Sequence, residues 1–264
     1  MATFRIMSYH INGFRAATGE TDPKLCSRVI RSQQPDLVML QQLGSPVIAG
    51  SLKEFAAQAG LILSGPDDEG ACAFLSRHPL SNLQDFSLGH GGRCVRADLD
   101  IGEERLHLFN LSLGLGPRQR REQIRALLSD QLLNSPSLSC ATIVCGDFTL
   151  PLWGYGQMRL NEHLRRARFP LWRANYPGNF PLWGRDRVYF HGPIRALAGT
   201  VVTTAEARKA SPHLPIVLTV ESCETRNFLK LKDVVPRRKG WIRYVDNPVG
   251  AVDNSLVPIT HEKS

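Results

Sequence analysis

Several polar side chains in this chain stand directly beside short apolar runs, as functional groups do when a strand presents them at its end. Asp147 is the plainest case. The run Thr142-Ile143-Val144-Cys145 leads into Gly146, and Asp147 follows at once. β-Branched residues favour a buried strand, and open α/β sheets keep their ligands beyond such strand ends. His10 follows Ser8-Tyr9, Gln42 follows Val38-Met39-Leu40-Gln41, and Ser112 follows Phe109-Asn110-Leu111. Asp186 precedes Val188-Tyr189-Phe190, and His213 lies in Ser211-Pro212-His213-Leu214-Pro215. Carboxylates and imidazoles placed this way can activate water, hold a cation or steady an anion. Each also has an ordinary reading, since Gly-Asp after a strand is commonly a turn.

The elements that position these groups can be read from periodicity and punctuation. Residues 4–9 alternate as a strand, and Asn12-Gly13 turns the chain. Asp22-Pro23 opens a helix with Cys26, Val29 and Ile30 on one face, ended by Pro35. Residues 36–41 are a second buried strand, 52–59 a short amphipathic helix, and 70–76 a strand that ends in the turn Arg77-His78-Pro79-Leu80. Residues 93–101 and 105–111 alternate as a hairpin around Gly102-Glu103-Glu104. Pro117 opens a helix expected to reach about residue 133. Its apolar face is Ile124, Leu127, Leu128 and Leu132, and its outer face is Arg118, Arg120, Arg121 and Arg125. Residues 158–166 are expected to be helical, with long loops through the rest of 150–187. Strands follow at 188–190, 198–204 and 216–220. Residues 223–264 are irregular, so a domain over 1–222 with a C-terminal extension is expected. Helices and strands alternate while hairpins intervene. That mixture predicts an α+β architecture of two packed sheets with helices outside.

With 264 residues, 42% hydrophobic and 21% charged, the chain is long enough to bury a large core. The formal charge is +8 and arginine supplies most of it. Guanidinium forks suit phosphate, so an anionic partner is expected: nucleic acid, a lipid head group or a small phosphoester. A generally basic solvated surface is the plainer alternative. Six cysteines include no Cys-x-x-Cys pair. Core thiols in a reducing compartment are expected, without a disulfide framework. No apolar run approaches a membrane span, and the first residues enter a strand without a signal-peptide pattern. Cytoplasmic location and a monomeric state are the expectations.

In order along the chain stand Tyr9-His10-Ile11-Asn12-Gly13, Pro35-Asp36-Leu37-Val38-Met39-Leu40-Gln41-Gln42 and Leu75-Ser76-Arg77-His78-Pro79-Leu80. They continue as Asn110-Leu111-Ser112-Leu113, Gly146-Asp147-Phe148-Thr149, Asp186-Arg187-Val188-Tyr189-Phe190 and Ser211-Pro212-His213-Leu214-Pro215. This succession resembles the endonuclease/exonuclease/phosphatase superfamily over about residues 4–220. The resemblance implies a four-layer αββα sandwich and hydrolysis of a phosphoester with a divalent cation, usually Mg²⁺ or Mn²⁺. It implies that Asp147 matches the water-activating carboxylate, His213 the phosphate-contacting imidazole, and Asp186 the late-strand carboxylate that orients a catalytic partner. The 110–121 stretch looks closest to bacterial sphingomyelinase-like and uncharacterised cytoplasmic branches.

Other family positions differ. The first-strand Asn is His10, the metal-ligating Glu is Gln42, the His of the Asn-Thr-His block is Ser112, the Asn after Gly-Asp-Phe is Thr149, and the Asp before the last His is Pro212. Mg²⁺ wants anionic oxygens. A unit-charge pair near 4 Å is worth roughly 4 kcal/mol at an effective dielectric of about 20, and about twice that against a divalent ion. Gln42 keeps an oxygen without the charge. Pro212 is expected to deprive His213 of an orienting acceptor, and Ser112 to weaken the hold on phosphate. Two readings follow. In one, the scaffold is a pseudo-hydrolase that binds a phosphate-bearing ligand or a partner, its metal weak or lost. In the other, His10, Gln42, Asp147, Asp186 and His213 hold a softer ion such as Mn²⁺ or Zn²⁺ and catalysis survives.

Remaining residues carry paired readings. His78, His90, His107 and His191 read as surface or hairpin histidines. The arginine face of the 117–133 helix is either solvated or a phosphate-contacting stripe, with Arg120 and Arg121 as candidate ligand contacts. Trp153, Trp172 and Trp183 are either core or loop anchors, or surfaces on which a base or sugar stacks.

Overall fold

The computed structural model describes residues 2–222 except 17, 45–48, 66–70, 103, 115, 137, 149–159 and 161. Thr149, Trp153, positions 158, 159 and 161 of the helix expected at 158–166, and the 223–264 extension therefore fall outside the described residues.

The elements run β1 (Ala2–His10), α1 (Pro23–Gln33), β2 (Leu37–Gln41), α2 (Ala49–Ala59), β3 (Ile62–Ser64), β4 (Cys72–Ser76) and β5 (Leu80–Gly89). They continue β6 (Gly92–Ile101), β7 (Glu104–Ser112), α3 (Pro117–Leu127), β8 (Ala141–Asp147), β9 (Arg165–Arg166), β10 (Asp186–His191), β11 (Ile194–Val201), α4 (Ala205–Ala210) and β12 (Ile216–Ser222). Two six-stranded sheets form, ordered β11-β12-β1-β2-β4-β3 and β5-β6-β7-β8-β10-β9. Both are mixed: β1 pairs parallel with β2 and β7 parallel with β8, while the other ladders are antiparallel. The expected sandwich of two packed sheets with helices outside is what the chain forms.

Period-two alternation decides which side chains meet between the sheets. On β8, Ala141, Ile143 and Cys145 join the main core with Leu106 and Leu108 of β7 and Val188 and Phe190 of β10. The intervening Val144, Phe109, Leu111 and Tyr189 join a second core with Ile124 and Leu127 of α3. Across the sheets a polar tie forms. Asn110 donates to the carbonyls of Leu40 and Ala73, each at 2.8 Å, and accepts from Gln41 Nε2 at 2.8 Å.

Local chemistry sets the helix ends. Asp22 Oδ1 accepts from the Leu25 amide at 2.9 Å and Pro23 occupies the first turn, which starts α1. Leu25, Cys26, Val29 and Ile30 are its buried apolar face. Helix α3 stops at Leu127, short of the expected residue 133. There Leu133 N–H bonds the Leu127 carbonyl and Asn134 Nδ2 bonds that of Leu128, so side chain and turn replace further helix.

Other expectations need correction. Residues 165–166 are strand, paired with Tyr189 and Phe190, so no helix reaches Arg166. Strands β3 and β5 were not foreseen. Strand β5 mixes polar and apolar residues, and register shifts at Ser81/Gln84 and Ser87/Gly89 destroy its alternation. The late strand runs 194–201 instead of 198–204, because Thr204 leaves the ladder to cap α4, accepting from Ala207 N. Cys26, Cys72, Cys94, Cys140 and Cys145 are buried and free, and burial pushes the Cys26 thiol up to about 12. Among the described residues no helix is long and apolar enough to cross a membrane.

Candidate active site

Five polar groups share one end of the sandwich, four from strand ends and one from a loop. Asp186 lies directly opposite Asp147 across the β8–β10 ladder, and Ser112 lies opposite Asp147 across β7–β8. In the facing sheet His10 pairs with Gln41. His213 enters from the loop before β12. All of these are buried, with Asp186 and His213 each only 2% exposed.

Gly146 makes the row possible. Its φ is +153°, and a Cβ there would stand 2.1 Å from the Leu111 carbonyl oxygen. Only glycine lets β8 approach β7 this closely and deliver Asp147 beside Ser112.

His213 Nδ1 is 2.7 Å from Asp186 Oδ2. The same carboxylate accepts from Asn175 Nδ2. Burial pushes the Asp186 carboxyl up, but the charge and hydrogen bond of His213, helped by His10 and Asn175, outweigh it and hold the group below its ordinary range. This corrects the expectation that Pro212 leaves His213 without an orienting acceptor: Asp186 supplies it. The loop of His213 is fixed to β1 through Ser211, whose hydroxyl donates to the His10 carbonyl at 2.7 Å and accepts from the His213 amide at 3.1 Å.

His10 lies against His213 with ring centroids 3.9 Å apart, and its Nδ1 is 3.5 Å from Asp147 Oδ2. Burial above all, then the charge of His213, pushes its pKa down to about 3, so it is neutral at physiological pH. Neither of its ring nitrogens has a hydrogen-bond partner, nor has Asp186 Oδ1. His10, Asp147, Asp186 and His213 each offer a ligand atom, all within 4.8 Å of one another.

Gln42 is not in this cluster. It is exposed, at a φ of +55° just past β2, where its amide and carbonyl bond Ala71 and Gly13. The glutamine that faces the second sheet is Gln41, held by Asn110, Ser8 and Met39.

Three residues that sequence reasoning missed complete the site. Fully buried Asn175 bonds Asp186, the Leu214 carbonyl and the Arg185 amide. The Tyr176 ring lies 4.7 Å from that of His213, with the Arg185 guanidinium 4.6 Å over it. Arg185 Nη2 stands 4.0 Å from Asp147 Oδ2. These residues sit in a loop without periodicity, which carries no sequence signal of its own. Arg120 is also displaced from expectation. It is buried, only 7% exposed, whereas Arg118, Arg121 and Arg125 stay on the solvated face. The spacing Arg120, Ile124, Leu127 is that of one helix face and carried this signal. Burial, with Arg185 and Arg187 nearby, lowers its pKa against the pull of Asp147.

Of the histidines expected at the surface or in the hairpin, His107 is a hairpin residue, buried on β7 with Nδ1 2.7 Å from Asp98 Oδ1. Trp172 and Trp183 are exposed, so they are not core anchors.

The family model for the endonuclease/exonuclease/phosphatase family matches residues 7–213. The chain belongs to that family. Members of the endonuclease/exonuclease/phosphatase family are typically metal-dependent phosphoester hydrolases. No curated protein matches the sequence. Among solved structures, TDP2 from D. rerio complexed with a single-strand DNA product is 15% identical, with a TM-score of 0.69 over 84% of this chain and 100% of that one. A family member from Beutenbergia cavernae is 20% identical, with a TM-score of 0.63 over 83% of this chain and 72% of that one. A conserved protein of unknown function from Enterococcus faecalis is 13% identical, with a TM-score of 0.68 over 83% and 99%. At such identities these likenesses speak for the fold alone.

Proposed function

We propose that the cleft binds a phosphate-bearing ligand and that the Mg²⁺-dependent hydrolysis typical of the family is eroded, so that the chain acts as a pseudo-hydrolase. The surroundings of Asp147 carry this reading. The protein's own nitrogen groups stand at its Oδ2, neutral His10 at 3.5 Å and the Arg185 guanidinium at 4.0 Å. Arg185 supplies beside that carboxylate a positive charge of the kind a divalent ion supplies. The family's Mg²⁺ set does not fit here: Gln42 is exposed and neutral, and Pro212 has no side-chain oxygen. The phosphate-facing half is better kept. With Nδ1 held by Asp186, Nε2 is the His213 nitrogen left for a phosphoryl oxygen.

The test is hydrolysis of bis-p-nitrophenyl phosphate and p-nitrophenyl phosphate. In Mg²⁺ the wild type is expected to match Asp147→Ala. A Mg²⁺-dependent rate that Asp147→Ala abolishes would contradict the reading.

A second reading is favoured by the unpartnered buried nitrogens of His10 and Oδ1 of Asp186. Leaving such atoms without a partner costs roughly 1–3 kcal/mol each. Two imidazoles and two carboxylates suit Mn²⁺ or Zn²⁺ better than Mg²⁺. His10, Asp147, Asp186 and His213 would then hold the ion, and it would polarise a phosphoryl oxygen as a Lewis acid. Stoichiometric Zn²⁺ or Mn²⁺ retained after dialysis and lost in His10→Ala, with hydrolysis that depends on Asp147, selects this reading over the first.

A further inference from the structure

The loop between β9 and β10, residues 167–185, carries five of the seven large hydrophobic side chains that stand exposed among the described residues. Leu171 is 85% exposed, Phe180 70% and Trp172 68%, and Leu182 and Trp183 accompany them. Exposed leucines scattered singly are ordinary, whereas a cluster marks a surface that meets something apolar. The loop is braced and holds the cluster outward. Its two arms pair through Tyr176 and Trp183, whose amides each bond the other's carbonyl. At the tip, Arg208 of α4 donates to the carbonyls of Gly178 and Asn179 at 2.7 and 2.8 Å, and the Gly178 amide bonds Pro212. From Arg165 to Arg185 the chain has five arginines and no carboxylate.

We propose that this loop docks on an anionic lipid surface. Leu171, Trp172 and Phe180 enter the interface, and exposed Arg168, with Lys209 of α4, meets the head groups. Two features select lipid over single-stranded nucleic acid. Leu171 and Leu182 have no ring face on which a base could stack. Tryptophan with aliphatic residues beside arginine is the composition of an interfacial membrane contact. The same loop reaches the cleft, because the Tyr176 ring lies tilted against that of His213, 4.7 Å away. A lipid phosphate gathered at the loop thus lies near His213, a point that rests on the phosphate-binding reading; the docking does not.

The test is sedimentation of the full chain with phosphatidylcholine vesicles, with and without phosphatidylserine, at low and high salt. Salt-sensitive binding to the anionic vesicles is expected, weakened at least tenfold by Leu171→Asp and Phe180→Asp, with Trp172→Tyr close to wild type. These side chains are exposed, so unchanged unfolding midpoints confirm intact variants. Asp147→Ala is expected to bind vesicles as wild type does, so failure of the cleft reading leaves this result standing. Equal binding by the Asp variants overturns the proposal. So does absence of vesicle binding, whether the loop then binds single-stranded DNA or pairs two copies of the chain. Shielding of Trp172 from a soluble quencher in the free protein also overturns it, because the loop is then already covered.

Discussion

Asp186 holds His213 by a 2.7 Å contact in which both partners are almost wholly buried, and fully buried Asn175 grips the same carboxylate from the other side. A buried pair of this kind is costly to break from one side, because the survivor is left buried without its partner. Asp186→Ala is therefore expected to destabilise the protein by about 3–5 kcal/mol in denaturant unfolding. Asp186→Asn keeps the shape without the charge. It is expected to lose less stability and to weaken phosphate binding about tenfold, the usual value of one charge-assisted contact.

His10 makes acid stability a readout of the cluster. Its folded pKa of about 3 lies below the ordinary 6.5. The unfolded chain therefore binds the proton first. Stability is fully present above about pH 6.5 and falls as pH drops toward 3, by up to about 1.4 kcal/mol per pH unit. Asp186, held below its ordinary range, adds its own loss once pH falls below its unfolded value, at the acid end of that span. Unfolding at about pH 7 and pH 5 isolates the first effect. His10→Gln is expected to flatten the slope between them.

Gly146 should tolerate no side chain. With a Cβ clash of 2.1 Å against the Leu111 carbonyl, Gly146→Ala is expected to cost about 3 kcal/mol or more. Gly60 has a φ of +74° but open space around it, so Gly60→Ala should cost only about 1 kcal/mol. Comparing the two unfolding midpoints checks the assignment.

The cross-sheet tie beneath the site predicts a further cost. Asn110→Ala takes one donor from each of the buried Leu40 and Ala73 carbonyls, and from Gln41 the acceptor that ties it to the other sheet. Roughly 3 kcal/mol of lost stability is expected, read from the same unfolding curves.

Much of this was legible in the sequence, for physical reasons. Strands β2 and β8 are buried on both faces, so they read as near-continuous apolar runs, β1 showed itself by alternation, and the polar groups at these strand ends stood out. Asp22-Pro23 announced α1 by its capping chemistry. Elsewhere the chain gave weaker signals. Strand β5 is bulged, and α3 ends on a side-chain bond that spacing does not foretell. Within the site, Asp147, Asp186, His213 and His10 were named and the fold brings them together. Gln42 was named for a place that the buried Gln41 approaches from the strand before it. Asn175, Tyr176 and Arg185 escaped because loop residues find their partners only through tertiary structure.

On the reading proposed above, the cleft takes phosphate on the protein's own charges. Calorimetric titration of inorganic phosphate into wild type, His213→Ala and Arg185→Ala, in EDTA and again in excess Mg²⁺, tests it most directly. Wild-type affinities are expected to agree within about twofold in the two conditions and to fall about tenfold in each variant, a loss of roughly 1.4 kcal/mol. Phosphate binding that appears only with Mg²⁺, or that neither substitution weakens, would contradict it.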